Sequence, residues 1–99
     1  MKKLIVLAVS VALGVTAIPA LAATKRVEVD DNVFSPKVIR AKKGDKIRFV
    51  WVGSAPHNVK GAGINLGTRR SGSRTVTVRR GGQFVCTIHP GMTGRIRLR

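Results

Sequence analysis

Residues 82–98 read G-Q-F-V-C-T-I-H-P-G-M-T-G-R-I-R-L, and the fold follows from how this stretch is parsed. Its two ends are β-type runs. Gln83 to Ile88 follows a Gly81-Gly82 turn, and Arg95 to Arg99 alternates strictly, with Ile96 and Leu98 expected to face inward. Thr93-Gly94 reads as a turn, and Cys86 within the first run is followed by His89 and Met92 at three-residue steps. Side chains alternate along a strand, so Phe84 and Cys86 share a face and Cys86 sits at the inner end of its strand. His89 then falls on the adjoining loop, the kind of position where binding residues concentrate.

The preceding chain has the same character. Arg26 to Asp30 places Val27 and Val29 on one face, Asp31-Asn32 turns, and Phe34-Ser35-Pro36 follows. Lys37 to Ala41 is extended, and Lys43-Gly44-Asp45 turns the chain into Lys46 to Val52. That last run is the strongest strand, with Ile47, Phe49 and Trp51 on one side and Arg48 and Val50 on the other. Gly53 to Gly67 reads as loop, with four glycines and one proline around His57, and Arg74 to Arg79 alternates Val76 and Val78 with polar residues. No helical period and no internal repeat is present. The expectation is an all-β domain of two layers.

His57, in S-A-P-H-N-V, lies 29 residues before Cys86. With it the chain's single cysteine and both of its histidines fall into one pattern, H…C-x2-H-x2-M. Two imidazoles and a thiolate with a weak axial thioether form the donor set of a type 1 copper centre. Zinc also accepts Cys and His. Taken singly, Cys86 reads as a buried structural thiol, Met92 as core and His57 as a surface loop residue. Their joint order is far more specific than any one of them.

The chain of 99 residues holds one small domain at most. Lys2-Lys3, the uncharged run Leu4 to Ile18, Pro19 and Ala20-Leu21-Ala22 form the pattern of a cleaved secretory signal, residues 1–22, leaving residues 23–99 as the domain. An uncleaved anchor is the alternative, since about 20 apolar residues span a bilayer. Export implies a periplasmic, extracellular or cell-envelope location, where a lone cysteine is either a free thiol or committed to a metal. Setting aside Lys2 and Lys3 leaves 17 basic residues against four acidic ones, a net charge of +13. Such a field favours anionic partners. The 43% hydrophobic content includes the leader, so the domain core is thin, and a bound metal would add stability by selecting the folded state.

At these residues the chain resembles the cupredoxins, the small blue-copper proteins. N-V-F-S-P-K-V-I-R-A-K-K-G-D-K-I-R-F-V-W at 32–51 resembles the strands before the first ligand, A-P-H-N-V at 55–59 the first-ligand loop, and residues 82–98 the last two strands with the ligand loop. The C-x2-H-x2-M spacing is similar to that of the amicyanins. The resemblance implies a two-sheet Greek-key-type β-sandwich and one type 1 copper ion, with His57, Cys86 and His89 equatorial and Met92 axial. It implies that Asn58 braces the cysteine loop, that Pro90 stiffens it, and that electrons leave by the edge of His89 within a small apolar patch of Ala55, Pro56, Pro90 and Gly91. The segment from Asn58 to Arg74 and the run before Cys86 look compressed, which points to fewer or shorter strands than the family's usual eight.

The function expected is a secreted carrier of single electrons, not an enzyme, cycling Cu(II) and Cu(I). The alternative is a copper-trafficking or sequestering protein, against which stands the lack of any Met-rich or His-rich tract. Four ligands leave no open position for an oxidase. Nucleic-acid binding suits neither the export signal nor the near absence of exposed aromatics. The partner expected is an acidic or anionic redox protein, membrane-associated or free, met by a monomer.

Overall fold

A computed structural model describes residues 22–99; the apolar leader pattern falls, apart from Ala22, outside the described residues. The described residues form nine strands: β1 Thr24–Asp30, β2 Val33–Ser35, β3 Val38–Ala41, β4 Lys46–Trp51, β5 His57–Gly61, β6 Ile64–Arg69, β7 Gly72–Thr77, β8 Gly82–Val85 and β9 Thr93–Leu98. They make a four-stranded sheet, β2-β1-β4-β7, and a five-stranded sheet, β3-β9-β8-β5-β6. This is the all-β, Greek-key-type sandwich expected. The compression read from the sequence shows as shortness, the strands running from three to seven residues, and not as a smaller number.

Within each sheet the pairing is antiparallel except for β1 with β4 and β9 with β3. In the first parallel pair Val27 lies opposite Phe49 and Val29 opposite Trp51, so the two apolar rows coincide. Val27, Val29, Ile47, Phe49 and Trp51 are all buried. From the facing sheet come Ile39, Ala41, Val59, Ile64, Phe84 and Ile96. Phe84 is the hub. Its ring meets Phe34 edge-on at 4.9 Å and Phe49 at 5.6 Å, joining the two sheets. Such edge-to-face pairs contribute about 0.5–1.5 kcal/mol each beyond burial.

Four expectations are corrected. Gly53 to Gly67 is not a loop but contains β5 and most of β6, a hairpin turning at Ala62-Gly63. Both turn residues have positive φ, 53° and 78°, the backbone that lets a two-residue hairpin follow the twist of its strands. The run carrying Cys86 ends at Val85, and Thr93-Gly94 is already strand, because Thr93 pairs with Val85 and Gly94 with Phe84. Leu98 is 42% exposed; it pairs with Ala41 at the very end of β9, where the sandwich no longer covers it.

At the end of the sandwich where β4 begins, Asp45 is buried and closes two segments. Its Oδ1 accepts from the Ala23 N–H at 3.1 Å and its Oδ2 from the Lys42 N–H at 2.9 Å. These bonds, the Lys42 one foremost, hold its carboxyl below the usual carboxylate range.

Candidate metal centre

His57 is the first residue of β5 and follows the five-residue link Val52 to Pro56 from β4. The indole N–H of Trp51 donates to the His57 carbonyl at 2.9 Å, tying the start of β5 to the end of β4. A bulge between His57 and Val59 interrupts the pairing with β6. In a regular strand consecutive side chains face opposite sides, whereas here His57, Asn58 and Val59 are all buried. Bulges re-aim side chains in this way.

Cys86 to Met92 forms a closed loop at the mouth of the β8–β9 hairpin. The Cys86 N–H donates to the Met92 carbonyl at 3.0 Å, continuing the ladder by one rung, and the Met92 N–H donates to the His89 carbonyl at 3.1 Å. The bridge to β5 is made by Asn58. Its amide donates to Thr87 Oγ1 at 2.7 Å and its carbonyl oxygen accepts from the Thr87 N–H at 2.8 Å.

The outcome is a cluster. One ligand atom each from His57, Cys86 and His89 lies within 4.8 Å of the others. Cys86 Sγ is 3.9 Å from His57 Nδ1, and the two imidazole rings are 4.5 Å apart. His57, Cys86 and Met92 are buried, at 0%, 3% and 1% exposure, while His89 is half-buried. Ala55 and Pro56 beside it are half-buried, and Pro90 and Gly91 are exposed.

Each histidine has one nitrogen spoken for. His89 Nε2 is 3.0 Å from the Pro56 carbonyl, which can only accept, so that nitrogen carries the proton and Nδ1 is left with its lone pair. His57 Nε2 is 3.0 Å from Asp31 Oδ1. An ionised carboxylate also only accepts, so in the neutral ring the proton sits on Nε2 and Nδ1, the nitrogen facing Cys86, offers the lone pair. The Asp31 carboxyl is lowered to about 2 by the Ser54 N–H, by His57 and by the Ala55 N–H, in that order. Two bare imidazole nitrogens and a thiol sulfur converging in a water-poor recess suit a soft or borderline ion.

Two features of the site were not read from the sequence. Asp31 looked like a turn residue, and no local pattern marks a contact made across 26 residues of chain. Ile88, assigned to a strand, instead stands 46% exposed beside His89 and enlarges the apolar surface there.

Neither protein-family models nor curated proteins give a match to this chain. Solved structures do. A pseudoazurin from Sinorhizobium is 28% identical over 78% of this chain and 74% of its own, with a TM-score of 0.58. The oxidised plastocyanin of Dryopteris crassirhizoma is 25% identical over 75% of this chain and 99% of its own, at 0.59. An oxidised amicyanin variant, 18% identical over 79% of this chain and 90% of its own, reaches 0.64 and speaks for the fold alone.

Proposed function

We propose, from the premise that this chain is a cupredoxin, that it is an exported carrier of single electrons built around one type 1 copper ion. His57, Cys86 and His89 would hold the ion as its principal ligands, with Met92 as a weaker fourth. Bound there, the ion supplies a one-electron Cu(II)/Cu(I) couple. The observation that carries this reading is the convergence of His57, Cys86 and His89 within 4.8 Å, two of them deeply buried.

The chain's own residues account for the rest. The Asn58–Thr87 bonds fix the spacing of the two ligand-bearing segments, so little moves when charge arrives or leaves. The core around Phe84 excludes water from the thiolate side, and half-buried His89 is the edge through which an electron passes. No Met-rich or His-rich tract offers a relay for handing the ion on, which weighs against trafficking.

Charge points to the partner. Of the four acidic residues, Glu28 is paired with Arg26, and Asp31 and Asp45 are engaged by backbone N–H groups, so the basic surface is largely uncompensated. Arg70 donates to the Ser54 carbonyl in the link before His57, and Arg69 lies opposite His57 in the sheet and over the Trp51 ring at 5.5 Å. An acidic redox protein, free or held at a membrane, fits this end of the molecule.

A visible spectrum of the copper-loaded chain, residues 23–99, tests the reading. An intense thiolate-to-copper band that reductant bleaches, and that Cys86→Ser removes, is expected. A tightly bound but colourless Cu(I) form would overturn it in favour of a copper carrier.

A further inference from the structure

Asp31 is half-exposed, its side chain retaining 41% of its accessible area, yet it is held as firmly as a buried group. Its Oδ1 accepts from the Ser54 N–H at 3.1 Å and the Ala55 N–H at 2.8 Å, and the same oxygen faces His57 Nε2 at 3.0 Å. Oδ2 meets only the Ser54 N–H, at 3.0 Å. The chain passes so close that a Cβ on Gly53 would lie 2.8 Å from both the Asp31 backbone nitrogen and Cγ. Residue 53 must therefore be glycine for this carboxylate to seat. The cradle is built from the β1–β2 turn and the β4–β5 link, and its one side-chain guest is His57.

We infer that Asp31 is a positioning residue for the metal: it holds the His57 proton on Nε2, presents Nδ1 as the donor, and by its negative charge favours the oxidised over the reduced ion. The inference rests on the copper reading above. The physical chain is short. A carboxylate bonded to the far nitrogen of a ligating imidazole fixes its tautomer and ring angle and raises its basicity. A more basic imidazole stabilises Cu(II) more than Cu(I), because the higher charge gains more from donated electron density. A neutral acceptor in the same place would orient the ring without this bias. His89 supplies the internal contrast, since its Nε2 faces the uncharged Pro56 carbonyl.

Three variants separate orientation from charge and from mere loop bracing. Asp31→Asn keeps one oxygen able to accept from Ser54, Ala55 and His57 while removing the charge. Asp31→Ala removes both, and Gly53→Ala displaces the carboxylate without deleting it. Nitrogen-15 spectra of the metal-free chain should show His57 protonated at Nε2 in the parent and in Asp31→Asn, and a tautomer mixture in Asp31→Ala and Gly53→Ala. Competition titrations with Cu(II) and Cu(I) should show affinity lowered about 10–100-fold in Asp31→Ala, the range for loss of such a partner. In Asp31→Asn the loss should fall mainly on Cu(II), by about tenfold relative to Cu(I). Equal loss for both oxidation states in Asp31→Asn would overturn the charge effect, and a His57 tautomer unchanged in Asp31→Ala would overturn the positioning role. A parent chain that takes up no copper, yet shows the Nε2–H tautomer shifting with Asp31, would sink the copper reading and leave Asp31's hold on the ring standing. If Asp31→Ala does not fold, Asp31→Asn and Gly53→Ala still decide the matter.

Discussion

Asn58 and Thr87 hold each other by two hydrogen bonds, 2.7 and 2.8 Å long, and each is the next residue after a candidate ligand, His57 or Cys86. Their bond therefore sets the distance between the two ligand segments before any ion arrives. Asn58→Ala removes a donor and an acceptor from a buried position and strands the Thr87 N–H. The expected loss is about 1–3 kcal/mol, read from chemical denaturation of the metal-free chain. Thr87→Ala should lose less, because the bond through its backbone survives. Equal stability of Asn58→Ala and the parent would show that the bridge holds nothing.

Met92 is buried at 1% exposure, and its backbone is fixed to both Cys86 and His89. Leucine fills a similar volume, so Met92→Leu should lower stability by less than about 1.5 kcal/mol. Copper should stay bound while the reduction potential moves, since a weak axial bond tunes the ion more than it retains it. Protein-film voltammetry reads the shift. Copper lost from a folded Met92→Leu chain would make Met92 a principal ligand instead.

Asp45 supplies a pH dependence at the opposite end of the molecule from the candidate ligands. Its carboxyl is lowered in the folded chain by the Lys42 and Ala23 N–H groups, so the unfolded chain takes up this proton first as pH falls. The contribution is complete above the ordinary carboxylate range and drains away below about pH 4. Thermal midpoints of the metal-free chain should be flat from pH 7 to about 5 and fall beneath that. Asp45→Asn should start lower at pH 7 and fall less steeply. Parallel profiles would remove Asp45 from the acid response.

The uncompensated basic surface makes ionic strength the probe of docking. Screening length shrinks from about 30 Å at 0.01 M salt to about 10 Å at 0.1 M, so bimolecular electron transfer to an acidic partner should slow steeply across that range. Charge reversal at Arg70 or Arg95 should slow association with the potential nearly unchanged. Reversal at Lys25, on the strand that packs beside the Asp45 end, should matter less. Stopped-flow rates indifferent to salt would rule out electrostatic steering.

Legibility differed by element for physical reasons. β4 was plain because its inward row, Ile47, Phe49 and Trp51, has period two and its outward row is polar or half-buried. The β5–β6 hairpin was hidden because the bulge buries His57, Asn58 and Val59 in succession, erasing alternation, and because glycines placed for tight turning imitate a loop. The convergence of His57, Cys86 and His89 could be picked out because Cys and His are rare in this chain. The Asp31 contact could not, since the β1–β2 turn and the β4–β5 link meet only after both sheets have formed. Leu98 misled because alternation says which side a residue faces and not whether anything lies there.

The place of β9 has a further consequence, for the order in which the molecule assembles. It follows the other eight described strands in sequence, yet it lies inside the five-stranded sheet, parallel to β3 on one side and antiparallel to β8 on the other. The four candidate ligands all precede it. A chain ordered only as far as Met92 would own every ligand and still lack a site, because the Cys86–Met92 loop would have a single stem and β3 and β8 would be bare edges. Parallel pairing over so long a separation is slow to form. The candidate site is therefore closed only by the strand that follows it, and without β9 the thiol of Cys86 would lose the second stem of the loop that shelters it.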